Sequence, residues 1–175
     1  MTAPPRDPTL GEWTCLGILV TEPAHGWSIV KRLRVDGDLG RVWSLSRPLT
    51  YRALDQLVAR AWIEAVGEEV GIGGPSRTIL AATALGRRSF EQWVTTPVTH
   101  VRDLRSELLV KLVLAERAGI DVADMLARQR TIIDHHASAL GEADPDDVVA
   151  VWRVEATAAA RRFVDRITAR TSEAQ

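Results

Sequence analysis

Apolar residues recur at helical spacing in three successive segments of the N-terminal half of the chain. The pattern predicts a first helix within residues 9–20, a second within 24–36 and a third within 46–60. The segment "TEPAHG" separates the first two helices. Ser46 is the expected N-cap of the third helix, since its hydroxyl can accept a hydrogen bond from a free backbone N–H.

The third segment, "SRPLTYRALDQLVARAWI" at residues 46–63, predicts a helix with two different faces. One face carries the apolar residues that a packed helix requires, Leu54, Leu57, Val58 and Ala61. The opposite face and the first turns carry a mixed set, Arg47, Leu49, Tyr51, Arg52 and Gln56. This mixture indicates that the outward face of the helix contacts another molecule, in addition to the face that packs on the protein's own core.

The pattern changes after Ile63, where residues 63–83 are rich in glycine and alternate in part. The turn "GIGGPS" between two short runs predicts a β-hairpin with a long tip. A fourth helix is predicted from Thr83 to Thr96. Three helices, a hairpin and a further helix are the element order of a winged helix, in which the second and third helices form a helix-turn-helix and the hairpin is the wing.

Beyond Pro97 almost the whole chain has helical periodicity, with helices predicted within residues 103–119, 121–141 and 144–170. The last of these carries the apolar residues Val148, Trp152, Ala156, Ala159, Phe163 and Ile167. An open array of three such helices buries little apolar surface by itself, so we expect a partner surface. The sequence therefore predicts a mainly α protein with a small β-hairpin, divided into a winged helix-turn-helix domain at residues 1–96 and a helical domain at 97–175.

Composition places the 175-residue chain among globular proteins, with 46% hydrophobic and 26% charged residues. The net charge is −1, and residues 1–96 hold 11 basic and 10 acidic side chains, so any nucleic-acid binding must depend on local placement of charge. The single cysteine, Cys15, excludes an internal disulfide. No apolar run reaches the ~20 residues of a membrane span, and the start "MTAPPRDPTL" lacks a signal-peptide pattern. We therefore expect a soluble, cytoplasmic protein.

Four segments, taken in order, resemble the PadR family of transcriptional regulators. They are "PAHGWSIVKRL" at 23–33, the segment at 46–63, "GGPSRTILAATALGRRSFEQW" at 73–93, and "VRDLRSELLVKLVLAERAG" at 101–119, which is similar to the longer branch of the family. The resemblance implies a homodimeric repressor whose winged helix binds a pseudo-palindromic operator in double-stranded DNA. It also implies that residues 97–175 form an antiparallel helical dimerisation domain, often responsive to a small-molecule effector.

The chain departs from the family pattern at several positions. Trp27 stands where the family usually has tyrosine, Ala61 and Trp62 replace a common Gly-Leu pair, and the second wing strand "TILAAT" lacks the usual tyrosine. The first two departures exchange apolar residues and leave the expected fold unchanged. They do not favour any particular effector.

Within the family frame, the outer face of the third helix becomes the candidate reader of DNA. A recognition helix enters a major groove about 12 Å wide, with its N-terminal turns toward bases and phosphates. Arginine at positions 47 and 52 can pair with guanine, Leu49 can meet a thymine methyl, and Tyr51 can bond a phosphate. Gln56, farther along the same face, can reach adenine. The alternative for this stretch by itself is an ordinary solvated helix face.

The wing and the second helix supply further candidate contacts to DNA. Ser76 and Arg77 lie beside the glycines of the wing tip, which let the backbone come close to another surface. We expect Arg77 to reach the minor groove or a phosphate; the alternative is a mobile hairpin tip with a solubilising arginine. Lys31 on the second helix is expected to contact phosphate, and ordinary surface charge is its alternative.

Trp13 on the first helix and Trp152 on the last are the candidates for a pocket that binds a small aromatic effector. The alternative is that both belong to the core or an interface, since tryptophan buries a large area and the chain has only two phenylalanines and one tyrosine. Cys15 is expected to be a small packed residue rather than a redox sensor.

Catalytic, metal and cofactor patterns are absent from the sequence. His135 and His136 are adjacent and cannot share a helical face, and His25 is better explained as a turn or helix-capping residue. There is no glycine-rich phosphate loop and no nucleophile elbow. We therefore expect no enzyme, no cofactor and no metal. The competing class is a winged-helix protein-protein interaction module without specific DNA binding, which the near-neutral charge leaves open.

Overall fold

Seven α-helices and three short strands make up the part of the chain that the computed structural model describes, residues 6–69, 76–141 and 144–173. Contacts divide these elements into two compact units. The first unit extends to Trp93 and also includes Val113–Ile120, and the second comprises Val94–Leu112 and the residues from Asp121 onward. The mainly helical fold with one small sheet confirms the predicted fold class.

The first unit has the element order predicted for a winged helix-turn-helix. Its elements are α1 (Leu10–Thr21), β1 (Ala24–His25), α2 (Gly26–Leu33), α3 (Arg47–Ala59), β2 (Ile63–Glu69), β3 (Arg77–Ala82) and α4 (Ala84–Val94). Strands β2 and β3 form the antiparallel hairpin of the wing, with Ile63 opposite Ala82 and Glu69 opposite Arg77. The predicted wing tip, apart from Ser76, lies outside the described residues.

Strand β1 was not predicted from the sequence pattern. Ala24 and His25 pair with Leu80 and Ile79 of β3, which gives the sheet the order β1-β3-β2. Two residues are too few for an alternating pattern, and their pairing partners lie far along the chain. His25 also caps α2, because its Nδ1 accepts a hydrogen bond from the Ser28 N–H at 3.1 Å, which confirms the capping role expected for it.

Helix α1 forms the centre of the first unit. The side chains packed there include Cys15, Leu16, Ile18, Leu19, Ile29, Leu33, Leu57 and Phe90, all with no exposed surface. A Cβ added at Gly17 would lie 2.5 Å from Leu114 and 2.8 Å from Phe90, so this glycine lets residues 113–120 and α4 pack directly on α1. Burial, and secondarily the charge of Glu12, raises the pKa of the Cys15 thiol to about 12, so the thiol packs as a protonated apolar group.

The second unit contains a 3₁₀ turn (Val101–Asp103) and a π-helical turn (Leu104–Leu108), which continue into α5 (Leu109–Ala118). The residues of α5 from Val113 onward belong to the first unit. The second unit is completed by α6 (Ala123–Leu140) and α7 (Val148–Glu173). Arg130 and Asp134 of α6 form ion pairs with Asp165 and Arg161 of α7, in reversed order along the two helices. The two helices therefore run antiparallel, as predicted; dimerisation through them stays a prediction.

The core of the second unit is mainly aliphatic, with three buried polar side chains, Lys111, Gln129 and Thr157. Its apolar members are Val98, Leu104, Leu108, Met125, Leu126, Ile133 and Val164. The Gln129 amide accepts from the Val98 N–H at 2.7 Å and donates to the Val98 carbonyl at 2.8 Å. Lys111 donates to the Thr96 carbonyl at 2.6 Å and pairs with Glu107. Burial lowers the pKa of Lys111, although Glu107 opposes this shift.

The start of α7 departs from the predicted apolar stripe. Val148 is 77% and Trp152 70% exposed, whereas Thr157 and Val164 are buried. Residues spaced by four drift around a helix by about 40° per step, because 3.6 residues complete a turn. A stripe from Val148 to Ile167 therefore cannot face one neighbour along its whole length. We call the exposed side chains of Val148, Val149, Val151 and Trp152 the α7 apolar patch.

Candidate nucleic-acid interface

Helix α3 has a packed face and an open face, but the packed face differs in part from the predicted one. Its buried residues are Thr50, Ala53, Leu54 and Leu57. The predictions for Val58 and Ala61 are wrong: Val58 is 53% exposed, and Ala61 lies beyond the helix with a φ of 56°. The helix ends at Ala59 because the chain turns toward β2, which takes Ala61 off the helical face.

The N-terminus of α3 is placed as predicted, but the details of its capping differ. Ser46 is the N-cap residue, yet within the described chain its hydroxyl makes no capping hydrogen bond. Instead, the Thr50 hydroxyl donates to the Ser46 carbonyl at 3.1 Å. Pro48 occupies the second helical position, where a missing N–H removes no intrahelical hydrogen bond. The first turn of α3 is therefore well defined without a side-chain cap.

The first two turns of α3 present large side chains to solvent. Leu49 is 51% and Tyr51 38% exposed, and Arg47 and Arg52 are also exposed. Gln56 is half-buried. At about 100° per residue, Arg52 lies on the side of the helix that faces away from the buried residues. These side chains therefore occupy the surface that a helix in a groove would present.

The cations of the first unit fall into two classes according to their carboxylate partners. Five arginines form ion pairs with carboxylates, namely Arg6, Arg32, Arg34, Arg60 and Arg117. Among the cations of α2, α3 and the two wing strands, four make no ion pair with a carboxylate of the described residues, namely Lys31, Arg47, Arg52 and Arg77. We call these four the α3 cation group. Because no carboxylate of the described residues forms an ion pair with them, their positive charge is available to an anionic partner.

Aromatic rings lie beside two members of the α3 cation group. The Arg47 guanidinium carbon is 5.6 Å from the centre of the Trp27 ring and 5.8 Å from that of Tyr51. The Lys31 Nζ is 5.9 Å from the Trp27 ring centre. The Tyr51 ring lies against the start of α2, where a Cβ added at Gly26 would be 2.9 Å from its Cε1 atom. Cations and rings from α2 and α3 thus form one surface cluster.

The sequence patterns did not single out Trp27 as a residue of this surface. A signal was nevertheless present, because Trp27 precedes Lys31 by four residues on a helix, and residues at that spacing share a helical face. The contact between Trp27 and Arg47 could not be predicted from residue spacing. It depends on how α2 and α3 pack against each other.

The base of the wing combines basic and acidic side chains. The Ser76 hydroxyl donates a hydrogen bond to a Glu68 carboxylate oxygen at 2.7 Å, so this predicted DNA contact is engaged within the hairpin. Arg77 is exposed. The exposed carboxylates Glu64, Glu68 and Glu69 lie on β2, and Glu69 is 3.6 Å from the His25 ring. The described part of the wing is therefore not a uniformly positive surface.

The two tryptophans predicted for an effector pocket have different surroundings. In the first unit, Trp13 stacks on Trp93 with ring centres 5.0 Å apart and an angle of 5° between the planes. Its ring centre is also 5.0 Å from that of Trp62. Trp13 is thus engaged in an aromatic cluster of its own unit. Trp152 belongs to the second unit and to the α7 apolar patch.

Trp152 borders a groove of about 960 Å³ in the second unit. The groove has an apolar lining that includes Leu104, Leu109, Leu140, Ala156 and Phe163. Its polar lining is basic and consists of His100, Arg102, Arg105, His136, Arg153 and the hydroxyl of Thr157. No carboxylate side chain lines it within the described ranges. Such a groove suits a molecule with an apolar body and a negative charge.

Metal binding and membrane insertion are two further possibilities on which the structure bears. No cluster of three or more histidine, cysteine or acidic side chains that could hold a metal ion occurs in the described part of the chain. None of the helices in those same residues has both the length and the apolar character needed to cross a membrane.

Comparison with known proteins gives matches among solved structures. The chain matches no protein-family model and no curated protein. Bacillus subtilis PadR in complex with operator DNA aligns with a TM-score of 0.49 and 16% identity, over 92% of this chain and 98% of that chain. The Vibrio cholerae virulence activator AphA aligns at 0.43 and 19%, over 95% and 100%. The PadR-like transcriptional regulator BC1756 from Bacillus cereus aligns at 0.40 and 17%, over 94% and 99%.

Proposed function

We propose that this protein is a cytoplasmic, non-enzymatic transcriptional regulator of the PadR type, which binds double-stranded DNA through α3. The observation that carries the proposal is the exposed face of α3 together with the α3 cation group. Positive side chains that form no ion pair, three on the helix-turn-helix and Arg77 on the wing, are suited to phosphates and base edges. In this proposal residues 1–96 bind DNA, and residues 97–175 mediate dimerisation and the effector response.

The proposal gives each exposed side chain of α3 a role that follows from its chemistry. Arg52, which faces away from the core, pairs with a guanine edge, and Leu49 packs against a thymine methyl group. Tyr51 donates its hydroxyl to a phosphate, and Gln56 reaches adenine deeper along the groove. Arg47, Lys31, Ser76 and Arg77 contact the phosphate backbone. Phosphate oxygens only accept hydrogen bonds, so the Ser76 hydroxyl exchanges its bond to Glu68 for one to a phosphate oxygen.

We further propose that the protein acts as a homodimer on a pseudo-palindromic operator. The α7 apolar patch supports this, since contiguous exposed apolar side chains on a helix indicate a surface that another chain covers. Two-fold symmetry would place two copies of α3 in successive major grooves, about 34 Å apart along one face of the duplex. Binding there would block transcription, which is the repressor part of the proposal.

The effector part of the proposal assigns a small aromatic molecule to the groove beside Trp152. Binding there would change the environment of the Trp152 ring, so aromatic carboxylates should alter tryptophan fluorescence and their neutral amides should not. In the Trp152→Phe variant the response should disappear, although five other tryptophans remain. A flat titration in the wild-type protein, or a response that persists unchanged in this variant, would contradict the assignment.

A ligand in this groove can release the operator only if it favours one dimer geometry over another. The α7 apolar patch includes Trp152, so a bound ligand and the second protomer would share part of their surface. The same aromatic carboxylates should then weaken DNA binding in a gel-shift titration.

A second candidate function is a winged-helix module that binds a partner protein. The exposed carboxylates of β2 favour this alternative, because they would repel phosphates and attract a basic protein surface. DNA binding by the full-length chain distinguishes the two functions directly.

The test of the proposed function is a gel shift with the DNA upstream of the protein's own coding region, with a scrambled duplex as control. A dimer that places six members of the α3 cation group on phosphates, namely Lys31, Arg47 and Arg77 of each chain, should lose about 10³-fold in affinity between 50 and 200 mM salt. Specific retardation with this salt dependence is expected. Failure to shift either duplex at low salt would favour the protein-interaction module.

A further inference from the structure

We infer that Trp27 is a positioning residue for DNA binding, which holds the Arg47 guanidinium together with Tyr51 and holds the Lys31 ammonium by itself. The inference rests on the proposed function and deepens it. In this arrangement Trp27 orients two members of the α3 cation group before DNA binds. Neither the sequence patterns nor the resemblance to a family assigned Trp27 such a role.

The geometry brings both cations within the range of cation–π attraction. Arg47 lies 5.6 Å from the Trp27 ring centre and 5.8 Å from that of Tyr51, and Lys31 lies 5.9 Å from Trp27. Attraction of this kind acts within about 6 Å of a ring centre and is strongest for tryptophan. Arg47 therefore contacts one ring from each helix of the helix-turn-helix.

The rings are themselves held in place by their helices. Trp27 is half-buried near the start of α2, where His25 caps the helix. Tyr51 lies so close to Gly26 that an added Cβ would be 2.9 Å from the ring. Because both rings are seated on the scaffold, the cations beside them lose part of their freedom before binding, and less entropy is lost when DNA binds.

Cation–π attraction differs from ion pairing in what it leaves available. The attraction acts between the positive charge and the face of the ring, so it engages none of the five guanidinium N–H donors with a carboxylate. Arg32 shows the opposite case, since its donors are engaged by Glu22 and Asp38. Trp27 can thus orient Arg47 without neutralising its charge or occupying its donors. This combination is what a phosphate-binding arginine requires.

The competing explanation is that Trp27 only fills space between α2 and α3. Two substitutions separate the explanations, because phenylalanine keeps an aromatic face at this position and leucine keeps apolar volume without one. The affinity of the full-length protein for a fluorescently labelled upstream duplex can be measured for both by anisotropy. Trp27→Leu should weaken binding by about 5- to 30-fold, and Trp27→Phe should retain most of the affinity. Equal affinities of the two variants would overturn the inference.

A double-mutant cycle of DNA affinities distinguishes a positioning role of Trp27 from a purely structural one. In a background carrying Lys31→Gln and Arg47→Gln, the change Trp27→Leu should cause no further loss, because the cations it positions are gone. An undiminished loss in that background, or a matching fall in the unfolding temperature, would show that Trp27 acts through packing.

The outcomes distinguish this inference from the function on which it rests. If Arg47→Gln weakens DNA binding while Trp27→Leu does not, α3 remains the reader and only the positioning role fails. If Arg47→Gln and Arg52→Ala both leave the affinity unchanged, the proposed recognition surface itself fails.

Discussion

Replacing Arg52 with alanine is expected to weaken operator binding about 30-fold or more while leaving the fold intact. A bidentate arginine–guanine contact contributes about 1–3 kcal/mol, and a homodimer loses two of them. A combined loss of only about 2 kcal/mol already corresponds to about 30-fold in affinity. Arg52 is exposed on α3, so its removal leaves no cavity, and the thermal unfolding midpoint should stay within about 1–2 °C of wild type. Footprinting titrations at fixed salt measure the affinity.

Arg34→Ala is the matched control for this prediction. Arg34 is an exposed arginine of the same unit, but it already forms an ion pair with Asp36 at 3.1 Å. Its removal should change operator affinity by less than about 3-fold, as is usual for surface substitutions. If Arg52→Ala changes the operator affinity as little as this control does, α3 does not recognise the operator. If Arg52→Ala weakens binding equally on all DNA sequences, Arg52 contacts phosphate rather than a base.

Introducing aspartate at both Val148 and Val151 is expected to convert the dimer into monomers and to lower operator affinity by 10²-fold or more. Val148 is 77% and Val151 36% exposed in the single chain, so the substitutions should be tolerated by the protomer. In a dimer, however, they would bury unpaired carboxylates in an apolar interface. Loss of the dimer removes the gain from engaging two half-sites at once, which is about 10²–10⁴-fold. Light scattering coupled to gel filtration measures the oligomeric state.

The control for this variant is Val35→Asp, the same chemical change at a valine that is 80% exposed in the first unit. It should leave the oligomeric state unchanged. A wild-type protein that elutes as a monomer at the concentrations used for DNA binding would contradict the homodimer. A dimer that persists in the double aspartate variant would show that another surface holds the two chains together.

The local properties of α3 show how much of the candidate site the sequence could predict. Ser46 as the N-cap, the burial of Leu54 and Leu57, and the exposure of Arg52 all follow from helical periodicity, which depends only on neighbouring residues. Val58 and Ala61 were assigned to the wrong environment because the pattern does not say where a helix stops. The stop after Ala59 is set by the turn into β2, where Ala61 adopts a positive φ.

The sequence by itself determined the order of the elements, the amphipathic character of α3 and the hairpin that follows it. These features depend on residue spacing and turn chemistry, which act over a few residues. Only the tertiary structure decided that β1 joins the sheet and that Trp27 and Tyr51 flank Arg47. It also decided that the α7 apolar patch remains open to solvent. Each of these depends on contacts between segments distant along the chain, and such contacts leave no periodic trace in a single sequence.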